Sequence, residues 1–122
     1  NLKRRTIKMI TKKDFKEFVE SSQKITEFFD NCYKIGIGIH DKVRDNIGHI
    51  EYLLIKENFG EDGYGWFTWW MYDLPSLKKS SPNDNHAFNS DGTPIKLDTV
   101  DDLYDFLLEN YSNKNGENKY NS

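Results

Sequence analysis

Apolar residues recur every three or four positions in the first third of the chain, which is the spacing of one face of an α-helix. Thr11 precedes this pattern and can cap a helix N-terminus, where the carboxylate of Asp14 would favour the free N–H groups and the helix dipole. We therefore predict a first helix that begins after Thr11. Its predicted inward face comprises Phe15, Phe18, Val19, Ser22, Ile25, Phe28, Phe29 and Cys32.

A second helical pattern follows a glycine-containing connector at residues 34–40. Alternating isoleucine and glycine packs too weakly there for a strong strand. Asp41 can cap the second helix, and Gly60 can end it after Phe59. The predicted inward face comprises Val43, Ile47, Ile50, Leu53 and Leu54. The two patterns together predict an N-terminal helical hairpin.

All three tryptophans of the chain lie in the aromatic run from Trp66 to Tyr72. Aromatic and β-branched residues favour strands, so we predict a strand here, with a short helix as the alternative. The dipeptide Asp91-Gly92 is typical of a turn, and residues 95–97 after it predict a second short strand. These segments indicate a small antiparallel sheet.

A last helix is predicted after Asp98 or Thr99, either of which can cap it, with Asp102 at the third position after Thr99. Its apolar face comprises Val100, Leu103, Phe106 and Leu107. The predicted fold class is therefore α+β, with an N-terminal helical hairpin, a small antiparallel sheet and a C-terminal helix. We expect one domain over residues 11–112, a basic N-terminal arm over residues 1–10 and a polar tail over residues 113–122.

The composition narrows the class of protein. The chain has 122 residues, a formal net charge of −3 and one cysteine, so no internal disulfide can form and a reducing cytosol is expected. No apolar run approaches the roughly 18 residues that a membrane span needs. The three histidines, His40, His49 and His86, have no zinc-motif spacing, and we expect neither a metal nor a cofactor.

Two segments are candidate interaction surfaces. Tryptophan and tyrosine are favoured binding anchors, although burial in the core is the alternative for this run; the candidates are Trp66, Trp69, Trp70 and Tyr72. In the last helix, acidic residues fall on one face and could imitate a row of phosphates, or form the solvated side of an amphipathic helix. These acidic residues are Asp98, Asp101, Asp102, Asp105 and Glu109.

Two other functions stay open at this point. Basic residues near the N-terminus could neutralise nucleic-acid phosphates, although the net acidity argues against it; they are Lys3, Arg4, Arg5, Lys8, Lys12 and Lys13. A small hydrolase could use Asp62 and Asp73 as an acid and base, with a sugar stacked on tryptophan.

Three segments resemble a loose group of small proteins encoded by bacteriophages and mobile elements. These segments are GYGWFTWWMYD (63–73), AFNSDGTPI (87–95) and LDTVDDLYDFLLE (97–109). The resemblance covers roughly the second half of the chain and transfers no catalytic residue. It implies a non-catalytic protein in the bacterial cytoplasm that binds and blocks a host protein, including restriction and CRISPR effectors. The oligomeric state stays open, with a homodimer as one alternative.

Overall fold

The computed structural model describes residues 9–112, which are mostly helical. Helix α1 covers Lys12–Lys34 and helix α2 covers Asp41–Thr68. A π-helical turn, Trp69–Asp73, continues α2 directly into the short helix α3, Leu74–Ser80. After a loop, helix α4 covers Val100–Tyr111. The predicted arm and tail fall largely on residues 1–8 and 113–122, which lie outside the described part of the chain.

The predicted α+β fold with an antiparallel sheet is wrong. No strand occurs within residues 9–112, where the backbone pairing of Phe88 with Pro94 is an isolated bridge. The predicted strand from Trp66 to Tyr72 forms the end of α2 and most of the π-helical turn. Residues 95–97 form no strand, although the Ile95 N–H donates to the carbonyl oxygen of Ala87 at 2.9 Å beside this bridge.

Packing explains why the aromatic run is helical in spite of its composition. The buried residues of the run and of its flanks follow helical steps of three and four residues, which bring them to one face; they are Gly63, Phe67, Trp70, Met71 and Leu74. A strand would have divided these side chains between opposite faces. Tertiary burial of one helical face thus outweighs the strand preference of the individual aromatic residues.

Gly60 bends α2 where the sequence predicts the helix to end. Its backbone angles, φ 77° and ψ −178°, are not helical and lie in a region that only glycine occupies readily. The chain resumes a helix after this bend instead of stopping. One turn later, Gly63 packs against Phe59 so closely that a Cβ atom at position 63 would collide with the phenylalanine side chain.

The core forms where α4 meets the base of the α1–α2 hairpin and the segment after Gly60. Aromatic rings make its centre, with Phe15 6.0 Å from Phe59 and 5.4 Å from Tyr104 between ring centroids. The fully buried side chains come from α1, α2 and α4, and they are Phe15, Val19, Ile55, Phe59, Phe67, Leu103 and Leu107. Trp70 adds its indole to this core and donates its N–H to the carbonyl oxygen of Leu97 at 3.0 Å.

Helices α1 and α2 run antiparallel and contact each other at both ends. At the base, Phe15 packs on Phe59, and the N–H of Ile10, just before α1, donates to Asn58 Oδ1 at 2.9 Å. At the tip, the Arg44 guanidinium lies over the rings of Phe29 and Tyr33. Between these ends the helices leave a cleft of about 290 Å³. Several residues predicted to face inward are instead about half exposed or more: Phe28 59%, Val43 48%, Ile50 57% and Leu53 51%.

The helix caps agree with the sequence at two of three positions. The Thr11 hydroxyl accepts the Asp14 N–H at 3.1 Å, and Thr99 forms a capping box with Asp102. At α2, His40 is the cap, because Asp41 is already the first helical residue and His40 Nδ1 accepts the Lys42 N–H.

We predict that Gly60→Ala destabilises the fold by about 1–3 kcal/mol, because alanine is strained at this positive φ. Gly48→Ala is the matched control within the same helix. A Cβ atom at position 48 meets nothing within 4 Å, so this variant should gain about 1 kcal/mol from helix propensity. Urea denaturation followed by circular dichroism measures both. Equal effects of the two substitutions would contradict the role of Gly60.

We predict that the capping box of α4 makes the free energy of unfolding depend on pH in the acid range. Burial opposes ionisation of Asp102, but the Asp98 N–H, the Lys96 ammonium and the Thr99 N–H together hold its pKa below the usual 3.8. A lowered folded-state pKa contributes stability above the unfolded-state pKa, and this contribution is lost as the pH falls through the folded value. Thr99→Ala should cost about 1 kcal/mol at neutral pH. Asp102→Ala should reduce the fall in melting temperature between neutral and acidic pH, measured by thermal unfolding at a series of pH values. An unchanged fall would contradict the argument.

Candidate binding groove

An open groove of about 520 Å³ lies beside the bend of α2, and we call it the aromatic groove. One wall is helical: Asp62, Trp66 and Trp69 follow one another at steps of four and three residues, so they share a face. The other lining residues come from the loop before α4 and from the end of α4. The lining residues are Glu61, Asp62, Gly65, Trp66, Trp69, His86, Ala87, Phe88 and Tyr111.

Neighbouring side chains hold the half-buried Trp66 ring in place. Its indole N–H donates to the Tyr111 hydroxyl at 2.9 Å, which ties α2 to the end of α4. The ring centroid lies 4.8 Å from that of Phe106 and 5.7 Å from that of Trp69, both in edge-to-face geometry. A ring fixed in this way loses little conformational entropy when a partner packs on it.

The structure separates the aromatic residues that the sequence grouped as interaction candidates. Trp66 and Trp69 line the aromatic groove. Trp70 is buried in the core, which is the alternative that the sequence left open. Tyr72 lies elsewhere, at the cleft between α1 and α2.

Tyr72 and Glu51 form a polar contact beside that cleft. Glu51 is only 3% exposed, and the Tyr72 hydroxyl lies 2.9 Å from each of its carboxylate oxygens. Burial of the phenol, together with its hydrogen bond to this carboxylate, raises the pKa of Tyr72 above its usual 10. The hydroxyl therefore remains protonated at neutral pH and satisfies a buried acid.

Two acidic residues, Glu61 and Asp62, line the aromatic groove, and they differ in their contacts with other side chains. Glu61 accepts the Tyr52 hydroxyl at 2.7 Å and contacts Lys56 Nζ at 3.3 Å, and these two contacts lower the pKa of Glu61. Within residues 9–112, no hydrogen bond or ion pair involves the side chain of Asp62. Asp62 therefore presents an exposed negative charge beside two indole rings.

The acidic residues near α4 are partly neutralised by lysines of this chain. Lys78 pairs with Asp98 at 3.0 Å and Lys96 with Asp102 at 3.3 Å. Asp105 pairs with Lys12 at 3.0 Å. Asp101 and Glu109 are exposed on the same helix. This pairing makes the surface less like an unbroken row of phosphates.

The fold does not bring together the residues that the sequence suggested for nucleic-acid binding or for a hydrolase. Lys12 is engaged with Asp105, and Lys13 is exposed on α1, whereas Lys3, Arg4, Arg5 and Lys8 lie outside the described residues. Asp62 lines the aromatic groove but Asp73 does not. No group of three metal-ligating side chains occurs within residues 9–112.

Sequence reasoning missed the lining residues of the aromatic groove that the loop before α4 and the end of α4 supply. Phe88 is 53% exposed there, and His86 and Tyr111 stand beside it. These residues are distant from Trp66 along the chain, so only the tertiary fold reveals their proximity. Their segments carry no motif that would have identified a shared site.

Over the described residues 9–112, the fold is mostly helical and places an open aromatic groove beside the core. Comparison with known proteins finds no matching family, no similar characterised protein and no similar solved structure. In the part of the chain that the structure describes, no helix has the length and apolar character needed to cross a membrane.

We predict that Tyr72→Phe destabilises the fold by about 1–3 kcal/mol at neutral pH, because it leaves the buried Glu51 carboxylate without its donor. Glu51→Gln removes the charge but keeps an acceptor for the hydroxyl. In a double-mutant cycle measured by urea denaturation, the double variant should lose less than the sum of the two single variants. Strict additivity would show that the two side chains do not depend on each other.

Proposed function

We propose that this is a non-catalytic binding protein, encoded by a phage or mobile element, that docks on a host protein through the aromatic groove. The observation that carries the proposal is the pair of indoles, Trp66 and Trp69, at an open groove of about 520 Å³. Tryptophan side chains are the commonest class of energetic anchor in protein interfaces.

The shape of the groove supports a protein segment as its occupant. Trp66 and Trp69 are half-buried, and Phe88, which lines the same groove, is 53% exposed. Large aromatic surfaces that remain open to water in a folded chain gain free energy when a partner covers them. A protruding side chain of a partner would therefore meet aromatic surface in this groove.

The charge of the groove favours a basic anchor on the partner. Asp62 supplies a negative charge next to Trp66 and Trp69, and no lysine or arginine of residues 9–112 lines the groove. A lysine or arginine side chain over an indole face gains a cation–π contact in addition to the attraction of the carboxylate. The expected partner therefore presents a basic residue beside an apolar one.

The class of host target comes from the resemblance of residues 63–73, 87–95 and 97–109 to small phage and mobile-element proteins. Such proteins often block a host machine, and a defence effector of the CRISPR or restriction type is the target we propose. The site of action would be the bacterial cytoplasm.

The test is an affinity purification of the tagged protein from bacterial lysate, with and without nuclease treatment, and the bound proteins are identified by mass spectrometry. The wild type should recover one stoichiometric host protein. Trp69→Ala should weaken the complex about thirtyfold, the loss expected for an anchor worth about 2 kcal/mol. Asp62→Lys should also abolish recovery, because it places a positive charge where a basic anchor binds.

Asp73→Lys is the matched control, since Asp73 is an exposed aspartate outside the groove. It should retain the partner. Retention by Trp69→Ala and Asp62→Lys, with loss on Asp101→Lys, would assign binding to the acidic face of α4 instead. A partner that disappears on nuclease treatment would indicate nucleic-acid binding and would contradict the proposal.

A further inference from the structure

The cleft between α1 and α2 combines apolar surface with charged groups, and its volume is about 290 Å³. Its apolar lining comes from Ile25 and Phe29 of α1 and from Ile47 of α2. Arg44 and Glu51 of α2 supply opposite charges. The volume is close to the lower end of the roughly 300–1,000 Å³ that small-molecule sites occupy. The cleft therefore has room for a small organic molecule with an apolar part.

Arg44 lines this cleft without a counter-ion among the described residues. Asp30 and Glu51 line the same cleft, yet no ion pair joins either of them to Arg44 within residues 9–112. The guanidinium carbon lies 5.3 Å from the ring centroid of Phe29 and 4.9 Å from that of Tyr33, and the buried Nε atom has no hydrogen-bond partner in this part of the chain. A guanidinium fits a carboxylate through two parallel hydrogen bonds. Arg44 is thus a binding group for a carboxylate.

Glu51 brings a negative charge to the cleft that one neutral donor compensates. The residue is only 3% exposed, and the Tyr72 hydroxyl lies 2.9 Å from each of its carboxylate oxygens. One hydroxyl has a single proton to donate, whereas a carboxylate has about four acceptor sites. A buried charge is costly unless a charge of opposite sign and further hydrogen bonds compensate it. An ammonium group in the cleft would supply both.

The positions of these two groups on α2 determine the shape of the molecule that satisfies both. Arg44 and Glu51 are two helical turns apart, about 10 Å along the axis, so they lie on one face of the helix. Gly48 lies between them and also lines the cleft, and a Cβ atom there would meet nothing within 4 Å. Ile47 and Phe29 border this space with apolar surface. A molecule that reaches both charged groups therefore has apolar carbons between its own charged ends.

We propose that the cleft binds a small zwitterion in which an apolar carbon chain separates a carboxylate from an ammonium group. The carboxylate pairs with Arg44, the ammonium group pairs with Glu51, and the carbon chain lies over Gly48. An ω-amino acid and a short apolar peptide both have this chemistry. The cleft and the aromatic groove share no lining residue, so this site does not rest on the proposed host partner.

The first test is isothermal titration calorimetry of the full chain with 6-aminohexanoate and with leucyl-leucine, which represent these two sources. At least one of them should bind at an equimolar ratio. Hexanoate lacks the ammonium group and hexylamine lacks the carboxylate, so each should bind at least about tenfold more weakly than 6-aminohexanoate. The N-acetyl and the C-terminal amide forms are the matching controls for the dipeptide. Absence of binding by both zwitterions, or equal binding of the singly charged controls, would overturn the proposal.

Filling the cleft tests its location without changing either charged group. Gly48→Leu should fold, because a Cβ atom at position 48 has open space and leucine favours a helix more than glycine does, and it should lose zwitterion binding. Gly38→Leu is the matched control, since Gly38 lies in the connector outside the cleft and a Cβ atom there also meets nothing within 4 Å. It should bind like the wild type. Binding that persists in Gly48→Leu would place the ligand elsewhere and would overturn the proposal.

Two further variants assign the ends of the ligand. Arg44→Gln should weaken 6-aminohexanoate at least about tenfold and leave hexylamine unchanged, because hexylamine has no carboxylate to lose a partner. Glu51→Gln should weaken 6-aminohexanoate to a similar extent and leave hexanoate unchanged. A variant that only perturbed the helix pair would weaken the zwitterion and the singly charged probe equally. That result in both variants would contradict the assigned contacts.

Discussion

The bend at Gly60 is the constraint on which the rest of this structure depends. A helix that continued straight through position 60 would carry the aromatic run away from α1 and α4. The backbone angles of Gly60, φ 77° and ψ −178°, redirect it, so that Phe67 and Trp70 enter the core. The same bend leaves Trp66 and Trp69 at the rim of the core, where they form a wall of the aromatic groove.

Helix periodicity and capping residues predicted much of this fold. The parts that they did not predict depend on tertiary packing. Periodicity and caps located α1, the first part of α2 and α4, because helix periodicity and capping act within a few residues. The aromatic run was assigned to a strand because its composition favours one. Its helical steps of buried residues, from Gly63 to Leu74, were present in the sequence but overlap with apolar residues on the other faces.

The residues of the candidate site also fall into two groups, those that local patterns indicated and those that only the tertiary fold brings together. Trp66, Trp69 and Asp62 share one helical face. The sequence indicated the two tryptophans as binding candidates, but it indicated Asp62 only as a candidate catalytic residue of a hydrolase. Phe88 and Tyr111 join them only through the loop and α4, which no local pattern anticipates. The inward face predicted for α2 shows the reverse case, since Val43 and Ile50 have the periodicity of packed residues but remain exposed. Periodicity therefore indicates the helix but does not by itself show which side chains the core buries.

The most direct measurement of the central claim is site-specific photo-cross-linking inside the bacterial host. A photoreactive phenylalanine derivative replaces Phe88 in the aromatic groove, or Asp101 on the exposed face of α4, in otherwise wild-type protein. The account predicts one covalent adduct with a host protein from position 88 and none from position 101. An adduct from position 101 with none from position 88 would contradict the account.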